Sequence, residues 1–175
     1  MIKIIDGNLF DSKANFIVHQ VNTQGIMGSG VAAQVAERFP NVEKEYLRYC
    51  KHYNKQKKNM LGTVQYVPTE AWANIMCDLI KNNKVEAYDK DYQYIVNLFG
   101  QNDFGMGEQH TDLKALKKGM LDIRDKAERI GATIAMPFKI GSHRGGANWS
   151  DVYRIIQDVF DKSNVDVEIW KLDLG

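Results

Sequence analysis

The chain has 175 residues, 44% hydrophobic and 26% charged, the profile of one water-soluble globular domain. Its 23 Lys and Arg against 22 Asp and Glu leave a net charge of +1, which excludes a broad electrostatic grip on nucleic acid. The opening Met1-Ile2-Lys3-Ile4-Ile5-Asp6 is too short and too charged for a signal peptide and no apolar run approaches membrane-spanning length, so a cytoplasmic protein with no membrane partner is expected.

In chain order, Ile2–Ile5 reads as a strand, followed by a turn at Asp6-Gly7-Asn8. Phe16-Ile17-Val18-His19-Gln20-Val21 is a second strand, with the few polar positions of an interior strand buried on both faces, and it ends at Asn22-Thr23-Gln24-Gly25. Val31, Val35 and Phe39 then recur at four-residue spacing up to Pro40 and mark a helix; Val42, Tyr46, Cys50 and Tyr53 mark the next. Lys55-Gln56-Lys57-Lys58 reads as a solvated loop. Thr63–Val67 and Tyr94–Leu98 are strands by their β-branched and aromatic content. Between them, Trp72, Ile75, Met76, Leu79 and Ile80 fit a helical face.

From Asp112 to Ile130, Leu113, Leu116, Met120, Ile123, Ala127 and Ile130 alternate three- and four-residue steps, and Gly131 terminates the helix they define. A strand at Thr133–Met136, a helix from Trp149 to Phe160 and a last strand at Asp166–Leu172 complete one domain over residues 1–175. Strands interleaved with helices predict a three-layer α/β/α sandwich around a mixed, mostly parallel sheet. Cys50 and Cys77 form no CxxC pair and no cluster at metal-ligand spacing, so buried thiols, no metal and no cofactor are expected.

Ligands of such sheets bind outside the carboxyl ends of the strands. Two loops there are rich in glycine. Asn22-Thr23-Gln24-Gly25-Ile26-Met27-Gly28-Ser29-Gly30-Val31 runs from a buried strand into a helix, whose free first-turn N–H groups favour an anion; the same glycines also serve simple strand–helix packing. A triphosphate P-loop is excluded, because Val31-Ala32 stand where its Lys-Ser/Thr pair belongs. The second loop, Gly141-Ser142-His143-Arg144-Gly145-Gly146, offers another set of backbone donors with Arg144 as a cation for a diphosphate. His19 is either a proton-transfer group or a hydrogen-bonded core residue, and Asn22 either a ribose ligand or a turn former.

Gly7-Asn8-Leu9-Phe10, Val18-His19-Gln20-Val21-Asn22 and Met27-Gly28-Ser29-Gly30-Val31-Ala32 resemble the opening motifs of macrodomains. Tyr94 to Gln101 and Pro137-Phe138-Lys139-Ile140-Gly141, ending in Trp149, resemble the later ones. His19, where other macrodomains carry Asn, is similar to the branch of ADP-ribose-1''-phosphate phosphatases and terminal ADP-ribose glycohydrolases. The resemblance implies a sheet of about six strands with ADP-ribose, free or in derivatives that include ADP-ribosylated protein, lying across its crest.

It also implies roles. Asn8 would face the adenine, Asn22 the distal ribose, and Gly28, Ser29, Gly30 and Val31 with Gly141, Ser142, Arg144, Gly145 and Gly146 the phosphates. His19 would be catalytic with Asn22 orienting the ribose; His143, which with Arg144 departs from the small residues usual in the family, and Asp103, whose loop reaches toward the site, are added from position alone as its partners in proton transfer. The match leaves residues 68–91 as an apparent insertion. The branch's glycohydrolases use a Lys and an acid where this chain has Phe99-Gly100 and Gly145, so lysine-adduct chemistry is not expected. A hydrolase acting at the distal ribose, removing a 1''-phosphate or cleaving an ADP-ribosyl ester, is the first expectation; a non-catalytic reader of ADP-ribose is the second.

Overall fold

The computed structural model describes residues 1–69 and 92–172. The expected helical face at Trp72–Ile80 and Cys77 lie outside the described residues. The strands are β1 (Ile2–Asp6), β2 (Phe16–Asn22), β3 (Val64–Pro68), β4 (Tyr94–Gln101), β5 (Ile134–Pro137) and β6 (Val167–Lys171). The α-helices are α1 (Gly30–Arg38), α2 (Pro40–His52), α3 (Leu113–Ile130) and α4 (Trp149–Phe160). Two short 3-10 turns, Leu9–Asp11 and Lys57–Met60, were not marked by any periodicity.

Local chemistry explains the helix ends. Asp112 caps α3 by accepting from the N–H groups of Lys114 and Ala115, both at 3.0 Å, and Gly131 closes it in the left-handed region at φ 71°. Asn148 caps α4 in the same way through Ser150 N–H (2.9 Å). Pro40 opens α2 at a position where its missing N–H costs nothing. Gly119 lets α3 approach the sheet closely, since a Cβ there would lie 2.7 Å from Leu98 Cγ.

The sheet order is β1-β6-β5-β2-β4-β3, parallel throughout except for β3, which runs antiparallel to β4 at the edge. Phe16 and Val18 of β2 pack with Leu116, Met120, Val152 and Ile156 of α3 and α4. Ile17 and Val21 pack on the other side with Val35, Val42 and Tyr46 of α1 and α2. The three layers and the six-stranded mixed sheet are those expected from the sequence. Because β2, β4, β5 and β6 run parallel, their carboxyl ends share one edge, and the loops 23–29, 102–112 and 138–148 converge there. No helix among the described residues is long and apolar enough to cross a membrane.

Candidate functional site

The convergent loops enclose a cleft with three compartments. The first, about 310 Å³, lies between Asn22, Ile26, Gly28 and Ser29 of the first glycine loop and Phe104, Gly105 and Met106. The second, about 490 Å³, lies between residues 105–109 and the segment His143, Arg144, Gly146. The third, about 470 Å³, runs from Ser29, Gly30, Val31 and His19 to Phe138, Gly141, Gly145 and Lys171. Arg144 lines all three and packs over Gly30, where a Cβ would sit 3.5 Å from its Cγ. Phe104, Met106 and Ile26 put exposed apolar side chains on the rim of the first compartment.

Ser29 is the N-cap of α1 and makes no side-chain cap bond, so the first-turn N–H groups of the helix point at the cleft without a capping acceptor. In the second loop, Ser142 and His143 donate to Lys139 O (2.9 and 3.2 Å), Gly146 to Ser142 O (3.2 Å) and Ala147 to Gly141 O (3.1 Å). The N–H groups of Arg144 and Gly145 have no carbonyl acceptor among the described residues. Lys139 holds φ at 61°, an uncommon conformation for a residue with a side chain, and turns the chain into this loop.

Asn22 braces the first loop. Its Nδ2 donates to Ile26 O (2.8 Å), and its Oδ1 accepts from Gln24 N (3.0 Å) and Ile26 N (3.3 Å). The Tyr46 hydroxyl donates to the Asn22 carbonyl at 2.7 Å and lies 2.9 Å from Oδ1. Burial pushes the Tyr46 pKa upward, so the phenol remains a donor at any ordinary pH. Removing that donor with Tyr46→Phe strands a buried carbonyl, and urea unfolding is expected to show a loss of about 1–2 kcal/mol. The loop's outer end is tied down by Lys57, whose Nζ donates to Gln24 Oε1 (2.9 Å); this cation of the basic run is a loop anchor as well as a solvated charge.

His19 is 1% exposed, and its Nε2 lies 2.6 Å from Asn97 Oδ1. Desolvation lowers its pKa to about 4, against a smaller opposing contribution from the Asn97 bond. Burial thus favours the uncharged ring, and the Asn97 bond is that of a hydrogen-bonded core residue, one of the two readings of His19 from sequence. His143 is exposed and lines the second and third compartments.

Asn8, Ser142 and Asp103 do not line the cleft. Asn8 Oδ1 accepts from Phe10 N (3.0 Å) and caps the first 3-10 turn, beside the β6 end of the cleft. Asp103 Oδ1 accepts from Phe104 N (2.8 Å), as a turn residue does. Cys50 is buried and unpaired, as expected, with burial raising its pKa.

Sequence reasoning missed Gln20, Gln101 and Thr111. Gln20 Nε2 donates to Gln101 Oε1 and to Thr111 Oγ1, both at 2.7 Å, and Thr111 donates on to Gly141 O (2.7 Å). Gln101 Nε2 in turn donates to Asp103 O (2.7 Å). One buried amide thus ties the strand ends to two loops. Gly100 and Gly141 leave room for Gln20 Oε1, which has no hydrogen-bond partner among the described residues.

Comparison with known proteins gives a consistent picture. The Macro domain family model matches residues 18–156. The chain is 34% identical over 168 residues to the ADP-ribose 1''-phosphate phosphatase of Saccharomyces cerevisiae (strain YJM789), covering 90% of this chain and 92% of that protein. It is 24% identical over 175 residues to the DNA ADP-ribosyl glycohydrolase of Thermus aquaticus, covering 97% of this chain but only 40% of that protein. Among solved structures, Thermosipho africanus DarTG in complex with ADP-ribose superposes with a TM-score of 0.73 at 22% identity, over 99% of this chain and 42% of that one.

Proposed function

This chain belongs to the Macro domain family, and on that footing we propose that it binds ADP-ribose and hydrolyses an ADP-ribose derivative at the distal ribose, with the 1''-phosphate as the group removed. One observation carries the reading: Ser29 to Val31 of one glycine loop and Gly141, His143 and Gly145 of the other line a single cleft, bridged by Arg144. A diphosphate held there meets the first turn of α1 on one side and the free Arg144 and Gly145 N–H groups on the other. The nucleoside extends along the third compartment toward Phe138 and Lys171, and the distal ribose enters the first.

At the ribose end the Arg144 guanidinium neutralises the phosphate that leaves. We place His143, an exposed imidazole on the wall of the second and third compartments next to Arg144, beside the attacking water in preference to the buried His19. Asn22 braces the loop through Ile26, Gln24 and Tyr46 and also lines the first compartment, with one Nδ2 hydrogen beyond the bond to Ile26 O available to the ribose.

A second reading, a non-catalytic reader of free or protein-linked ADP-ribose, is favoured by the end of β4, which presents the amide of Gln101 to the cleft. Incubation with ADP-ribose-1''-phosphate separates the two. Phosphate release by the wild type that drops by about 100-fold or more in His143→Ala supports the hydrolase. Tight ADP-ribose binding by calorimetry without any phosphate release leaves the reader, and no binding at all rejects both.

A further inference from the structure

His19, Asn97 and Gln65 occupy one register row across three strands: His19 pairs with Asn97 between β2 and β4, and Asn97 with Gln65 between β4 and β3. Their side chains form a directed chain on the sheet face covered by α1 and α2. Gln65 Nε2 donates to Glu45 O (3.0 Å), which orients the Gln65 amide so that Oε1 accepts from Asn97 Nδ2 (3.0 Å). That in turn orients Asn97, whose Oδ1 is left to face His19 Nε2 at 2.6 Å. An amide oxygen only accepts, so Nε2 must carry the hydrogen. Nδ1 then holds a lone pair, is buried and has no hydrogen-bond partner among the described residues, on a residue that lines the third compartment.

We infer that Asn97 is a positioning residue that locks His19 as the Nε2–H tautomer and so presents its Nδ1 lone pair to the cleft as an acceptor for a ligand hydroxyl. The ligand half rests on the nucleotide reading above; the tautomer half does not. A ribose supplies the required hydroxyl donor, whereas a phosphate oxygen supplies none and would be repelled by the lone pair. The charged and titratable groups around the ring do not compete for it. From α2, Tyr46 is turned to Asn22 and the Glu45 carboxylate to Arg48 (3.1 Å). From the loop and strand ends, Lys139, His143, Arg144 and Lys171 line the same compartment.

The test is a set of two-bond 1H–15N spectra of the full-length, histidine-labelled chain, free and saturated with ADP-ribose, between about pH 5.5 and 8. The free protein is expected to show one neutral His19 with the hydrogen on Nε2 across the whole range. Adding ADP-ribose is expected to move its Nδ1 resonance upfield, as an accepted hydrogen bond does. In Asn97→Asp the new carboxylate is expected to raise the His19 titration into this window. A wild-type His19 with the hydrogen on Nδ1, or one that titrates near its ordinary value, overturns the lock, and this result needs no variant to fold. A folded Asn97→Asp protein with an unchanged His19 spectrum overturns the role of Asn97. Saturation by ADP-ribose with no movement of Nδ1 overturns the acceptor. If ADP-ribose does not bind while the Nε2–H tautomer is seen, the nucleotide reading fails and the lock stands.

Discussion

Gly145→Ala is expected to weaken ADP-ribose binding at least about 100-fold and to lower the unfolding free energy by about 1–3 kcal/mol. A Cβ at this buried position would collide with Thr111 Oγ1, stand 2.5 Å from Gly141 O and press to 2.9 Å from Gln20 Nε2. All three contacts are parts of one linkage, so the loop cannot yield at one point without releasing the others. The Gly145 carbonyl also accepts from His110 N (2.8 Å) and Thr111 N (3.0 Å), which couples the displacement to the loop carrying Phe104 and Met106. Gly28→Ala is the informative companion, since a Cβ there meets only Ile26 Cγ2 at an ordinary 3.6 Å. Stability should be unchanged in that variant, and any loss of affinity reports the ligand alone. Isothermal calorimetry and urea unfolding on the two variants check both statements; equal affinity in Gly145→Ala and wild type would remove the second loop from the binding site.

Lowering the pH from 7 to about 4 is expected to remove on the order of 3 kcal/mol more stability from the wild type than from His19→Gln. In the unfolded chain the imidazole takes up a proton below its ordinary pKa of 6.5, whereas in the folded chain it resists protonation down to about 4. Between those values the unfolded state binds more protons, so folding stability rises with pH through the window and falls as acid is added. Above the window the ring is neutral in both states and the difference between the two proteins is independent of pH. Urea midpoints measured at several pH values give the two slopes, and parallel slopes would show that His19 is not held neutral.

Much of this architecture was readable along the chain because it rests on short-range spacing. The α3 stripe and its Gly131 stop follow from helical geometry, and both glycine loops were visible as clusters after buried strands. The strand order was readable only as a class. Nothing local in Val64–Pro68 distinguishes an antiparallel edge strand from a parallel one, since the choice depends on what lies beside it. The site was legible where backbone geometry makes it, at residues 28–31 and 141–146, and illegible where side chains from distant segments meet.

Gln20 shows the difficulty. It reads as one polar residue in an apolar strand, and its partners Gln101 and Thr111 lie 81 and 91 positions away. Asn97 is hidden in the same way within Tyr94–Gln101, every residue of which is buried. Asn22 was read from its motif as either a ribose ligand or a turn former, and the structure shows the turn bonds of the second while leaving the side chain on the wall of the first compartment.

Neighbouring residues on β2 face opposite layers, which places His19 in the row that reaches Gln65 and Gln20 in the linkage that reaches Gly141. On the proposed reading, ligand contact and loop anchoring thus fall to adjacent codons whose side chains have different partners.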